Sequence, residues 1–148
     1  MSNSSELERL QFLASSRKME GDFAGALKAR QSLEGFYDEN FVDTIQQVQN
    51  LNQIANLSIL LGDLMEAQRS SRKSVALSVS LPEETKATCL MLLSCVLAES
   101  EEFKEATVYA ERAIEIFESI FGAENDFVAY RKHDLNRMRQ ESLGGYLD

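Results

Sequence analysis

Apolar and polar residues follow the same order three times along this chain. Aligned on Ala26, Ala67 and Ala106, which are 41 and 39 residues apart, the copies carry Leu10, Leu51 and Leu90 sixteen places upstream. Leu13, Ile54 and Leu93 follow three places later, and directly after them come the small residues Ala14, Ala55 and Ser94. The register continues downstream through Arg30, Ser71 and Ala110, and then through Leu33, Ser74 and Ala113. A leucine, a second apolar residue three later and a small residue beside it make a stripe on one face of a helix. Between stripe and alanine stand Gly21-Asp22, Gly62-Asp63 and, in the third copy, Glu101-Glu102, each followed by Phe23, Leu64 or Phe103. Glycine adopts the left-handed backbone that ends a helix, and aspartate accepts the free N–H groups that begin the next. Each copy therefore predicts a helical hairpin, with its alanine where the second helix crosses the first too closely for a larger side chain.

Leu-x-x-apolar-small followed by Gly-Asp-apolar-x-x-Ala resembles the tetratricopeptide repeat (TPR), a helix-turn-helix unit. The usual period is about 34 residues, and the longer spacing here is similar to the repeats of kinesin light chain. The stretch "ERAIEIFESIFGAENDFVAYRKHDL", 111–135, resembles the junction between two such repeats. The resemblance spans about residues 6–142, although the aromatic that often opens the first helix and the helix-ending proline are missing. It implies an all-α solenoid forming one domain over 1–148. Hairpins are expected at about 5–36, 40–79 and 82–121, a C-terminal capping helix at 126–142 and a flexible tail at 143–148. Ser5 with Glu8 suggests a capping box for the first helix, and Pro82 suits an early position of the fifth.

Composition agrees with long helices: one proline, seven glycines and no tryptophan leave too few turn signals for an all-β domain. The formal charge of -9 argues against nucleic acid, whose phosphates call for a basic face. "MSNSSELERL" lacks the basic start and apolar core of a secretory signal, and "CLMLLSCVLA", 89–98, is about half of what crosses a bilayer. No membrane association is expected, and a cytoplasmic location is, with the nucleus open. Cys89 and Cys95 lie nearly opposite each other on one helix, so they predict two reduced thiols.

No catalytic constellation stands out. His133 is the sole histidine, the acids gather at helix starts and solvent faces, and the Gly144-Gly145 pair lies in the tail rather than between a strand and a helix. No enzyme activity, cofactor or metal is expected. "RSSRKS", 69–74, runs against the global charge: Arg69, Arg72 and Lys73 share one exposed face, which is either a solvated surface or a basic docking patch with Ser70 open to phosphorylation.

The TPR resemblance further implies that the first helices of successive hairpins line a concave groove that holds a segment of a partner protein. The residues on that face are Gln11, Ser15, Gln49, Asn52, Asn56, Met91 and Cys95, a run that begins polar and turns apolar. Side-chain amides both donate and accept, matching an extended backbone, and methionine repacks around varied apolar groups. Packing of Ile59, Met91 and Cys95 against neighbouring helices is the alternative. The expected function is a non-enzymatic adaptor or scaffold that binds a protein or peptide. The alternative is a structural or regulatory subunit that stacks end-on, as a homo- or hetero-oligomer, through its terminal helices, with Phe127 and Leu135 at the contact.

Overall fold

A computed structural model describes residues 3–40 and 42–144. Within them the chain forms α1 (Asn3–Met19), α2 (Phe23–Glu39), α3 (Thr44–Leu60), α4 (Leu64–Leu77), a short 3-10 turn (Ser78–Ser80), α5 (Glu83–Glu99), α6 (Phe103–Phe121) and α7 (Asp126–Gly144), with no strand among the described residues. The fold is all-α: three helical hairpins and a last helix. The chain divides into two compact units, 1–77 and 78–148.

The three turns share one backbone. In each, two N–H groups reach back to the helix just ended: Asp22 to the Arg17 carbonyl, Asp63 to Ser58 and Glu102 to Leu97, all at 2.8 Å, while Gly21, Gly62 and Glu101 bond Lys18, Ile59 and Ala98 at 3.0 Å. This double closure requires a left-handed residue, and φ is +80° at Gly21, +77° at Gly62 and +61° at Glu101. The aspartates then cap the second helices. Asp22 accepts from the Gly25 N–H at 2.9 Å and Asp63 from the Glu66 N–H at 3.1 Å, whereas the Glu102 side chain makes no such bond. The third copy thus keeps the turn without the residues that favour it.

A Cβ at Gly62 would meet nothing within 4 Å, so substitution there isolates the backbone term. Gly62→Ala is expected to destabilise by about 1 kcal/mol, and Glu101→Gly to stabilise by about 0.5–1 kcal/mol. Urea denaturation midpoints moving in opposite directions would establish this; midpoints moving the same way would refute it.

In the first unit, Leu10, Ala14, Ala29, Leu33 and Tyr37 pack α1 on α2. Ala26 and Leu27 of α2 then meet Leu51, Ile54 and Leu57 of α3, so the second hairpin stacks on the first. Asn50, 2% exposed, joins the same pair of helices: its amide donates to the Arg30 carbonyl at 2.9 Å and accepts from the Arg30 guanidinium at 3.4 Å. In the second unit, the Ser94 hydroxyl donates to the Ala106 carbonyl at 2.8 Å, showing how closely α5 and α6 approach at the anchoring alanine. Val128, Leu135 and Met138 are the buried residues of α7.

Several local expectations change. The first helix begins at Asn3, so Ser5 lies inside it and is not its cap. Pro82 immediately precedes α5 and occupies its cap position. α4 tightens into the 3-10 turn after Leu77. Residues 143 and 144 belong to α7, and the remainder of the expected tail, 145–148, lies outside the described residues.

Candidate functional site

The first-helix residues divide between the units. In the first, Gln11 and Ser15 on α1 and Gln49 and Asn56 on α3 are exposed. None of the four makes a side-chain hydrogen bond or ion pair among the described residues. Lys18 reaches from α1 to the Gln53 amide of α3 at 3.3 Å, bridging the two helices. Asn52 behaves differently: half-buried, it accepts from the Ser74 hydroxyl of α4 at 2.5 Å and helps close its own hairpin. A sequence column cannot distinguish an amide that faces solvent from one turned a few tens of degrees toward the partner helix.

In the second unit, Met91 is 6% exposed and is a core side chain. Cys95 is half-buried, and burial pushes its thiol up, with the nearby Arg131 guanidinium acting in the opposite sense to a smaller degree. A raised thiol stays neutral and unreactive near pH 7. Arg131 belongs to α7, so Cys95 faces that helix. The apolar half of the expected groove is therefore taken up by packing, which is the alternative the sequence left open for these two residues.

The basic stretch is also engaged. Arg69 contacts Glu34 at 2.7 Å and Glu66 at 2.6 Å, and Lys73 contacts Glu34 at 2.7 Å and Asp38 at 3.0 Å. Arg72 is half-buried beside them. Instead of a free cationic surface, Arg69 and Lys73 of α4 form an ionic clasp onto α2. The bonds from Glu66 and then Glu34 hold the Arg69 guanidinium more firmly protonated than usual. Ser70 is fully buried, its hydroxyl donating to the Glu66 carbonyl at 2.9 Å, so a kinase could not reach it in the folded chain. Glu66 lies one turn before Arg69, but the partners on α2, Glu34 and Asp38, stand 35 to 39 residues upstream of the cations, a distance at which a local charge pattern gives no warning.

A site the sequence did not single out lies in the second unit. Phe117 and Phe121, one turn apart at the end of α6, stack with centroids 6.1 Å apart, and Phe127 at the start of α7 meets both edge-on at 5.0 and 6.5 Å. With Glu84, Thr88 and Asn125 they line a cavity of about 380 Å³. The Asn125 side chain positions α7 by accepting from the N–H groups of Phe127 and Val128 at 2.9 and 3.3 Å. Of the three rings the sequence reading singles out only Phe127, for an end-on contact, although phenylalanines four apart followed by a third across the Gly122 turn carry the signal. Leu135, expected at an end-on contact, is 5% exposed, so a charge there would unseat α7 rather than probe an interface. No helix of the described residues is long and apolar enough to cross a membrane.

No protein-family model matches the chain, and no curated protein matches it significantly in sequence. Solved structures do. A putative kinesin light chain from Podosopora anserina with nearly identical TPR-like repeats superposes with a TM-score of 0.79 at 17% identity, covering 96% of this chain and 69% of that one. BtubC (BKLC) from P. vanneervenii superposes with a TM-score of 0.75 at 22% identity over 92% of this chain. The present chain spans 55% of the length of BtubC. At such identities the likeness speaks for the fold, and the fold of this chain is that of TPR-like helical repeats.

Proposed function

We propose that this chain is a non-enzymatic protein-interaction module, an adaptor that holds a segment of a partner protein against the first helices of its hairpins. The observation that carries this reading is the set of exposed, uncommitted polar side chains on α1 and α3: Gln11, Ser15, Gln49 and Asn56. An amide can donate to and accept from an extended backbone at once, so two of them a few turns apart can hold a segment largely irrespective of its sequence. Asn52 takes part only by exchanging its bond to Ser74, and Met91 and Cys95 contribute packing beneath the surface. Cys89 and Cys95, neither of them in a disulfide, suit a reducing compartment such as the cytoplasm.

Peptides selected from a random displayed library on the intact chain test this reading. Gln49→Ala/Asn56→Ala is expected to weaken the selected peptides about tenfold or more, equivalent to one lost amide pair. Peptides held equally by both proteins would place binding elsewhere.

Assembly through a terminal helix is the second reading, and it draws on α1, where Phe12 is 71% and Met19 88% exposed. Sedimentation at increasing concentration separates it from the first. A dimer lost in Phe12→Ser supports assembly, and a monomer throughout removes it.

A further inference from the structure

The cavity at the start of α5 combines groups that a packing defect would not bring together. Phe117, 5% exposed, forms its floor. Phe121 and Phe127, 42% and 39% exposed, form walls whose planes meet at 88°. Perpendicular rings offer one electron-rich face and one edge to a guest, and a cation is attracted to the face. Glu84 stands at the rim. Its neighbour Glu83 is paired with Lys86 at 2.7 Å, but the Glu84 carboxylate has no hydrogen bond or ion pair among the described residues. Phe127 already receives one cation, the Arg131 guanidinium, 5.3 Å from its centroid, and Arg131 has its own counter-charge in Asp134 at 3.7 Å. Thr88, on the wall beside Glu84, occupies the repeat column of Gln49.

We propose that this cavity seats the basic side chain, arginine or lysine, of a partner protein's segment, with the apolar stem against Phe117 and Phe121 and the charged end between the ring faces and the Glu84 carboxylate. The proposal rests on the reading of the chain as a segment-binding module and names the partner's chemistry. Charge complementarity selects this occupant: one unpaired carboxylate, aromatic walls and a chain of formal charge -9 disfavour an acidic segment and attract a basic one. A purely apolar side chain would fill the space but leave Glu84 without a partner.

The test is an amide NMR titration of the intact protein with the blocked tripeptide acetyl-Gly-Arg-Gly-amide, its lysine analogue and its norleucine analogue. The arginine and lysine peptides should produce saturable shifts at Thr88, Asn125 and Phe127, with norleucine binding at least about fivefold more weakly. Glu84→Gln, an exposed change that leaves the core intact, should weaken the basic peptides to the norleucine level, and Glu84→Asp should restore part of the loss. Norleucine binding as well as arginine would overturn the basic seat while leaving the segment-binding reading in place. Absence of saturable shifts at these amides would overturn it as well. Because the tripeptides report on this cavity alone, failure of the Gln49/Asn56 test would not change their outcome.

Discussion

Ile54→Ala is expected to lower the unfolding free energy by about 2–5 kcal/mol, and Leu13→Ala, at the same column of the preceding repeat, by no more than about 1–2 kcal/mol. Both delete an aliphatic side chain at a position that the repeat alignment treats as equivalent. Ile54 is completely buried, packed with Ala26 and Leu27 of α2 and with Leu51 and Leu57 of its own helix. Its truncation leaves a void walled by two helices that stacking holds in place, so little collapse can relieve it. Leu13 is only partly buried at the edge of the α1–α2 cluster, and a cavity of about 410 Å³ opens beside it and Leu10. Within the described residues no helix covers that face of α1 as α2 covers α3. Water therefore already reaches Leu13, and less transfer free energy is lost with it. Total stabilities of single domains are about 5–15 kcal/mol, so Ile54→Ala should consume a large part of the total. Equal shifts of the urea midpoint for the two variants would show that stacking of the second hairpin on the first contributes little.

The contrast marks what the sequence could and could not convey. The columns at Leu51, Ile54 and Ala67 are written in residue type because each must satisfy a helix crossing, and every crossing imposes the same volume limit. The turns were legible for the same reason, since a left-handed residue is needed wherever the helix closes on itself, and even Glu101 submits to it. What stayed hidden depends on rotation by a fraction of a helical turn or on partners far along the chain. Asn52 turns toward Ser74, and Met91 turns inward. Arg69 and Lys73 look like a free basic face until α2 brings Glu34 and Asp38 to them. The aromatic cavity depends on α6 and α7 meeting across Gly122, which no periodicity within either helix specifies.

Glu34→Ala is expected to destabilise the first unit by about 1–2 kcal/mol near neutral pH, and to remove much of the acid sensitivity of its stability. Glu34 is the centre of the clasp: its two oxygens accept from both terminal nitrogens of Arg69, at 2.7 and 3.0 Å, and from Lys73 at 2.7 Å. The acid's side chain is 12% exposed, but Arg69 is 46% and Lys73 32% exposed. Water screens the cations, which keeps the expected loss well below the sum of three charge-assisted bonds. Burial alone pushes the Glu34 carboxyl up; the hydrogen bonds and charges of Arg69 and Lys73 together outweigh it and hold the group below the usual carboxylate range. Glu66, bonded to the same arginine, is shifted in the same direction. With the folded value below the unfolded one, the unfolded chain takes up protons first as pH falls. The stabilisation is therefore complete above the unfolded carboxylate value of about 4.5, and it is lost as pH drops through the lower folded value. Wild type and Glu34→Ala should thus differ most at pH 6–7 and converge as the medium becomes strongly acidic, and added salt at neutral pH should narrow the same gap. Thermal unfolding followed by circular dichroism across this range decides the matter: parallel curves at all pH values would mean that Glu34 acts by packing alone and that the clasp contributes no net electrostatic stability.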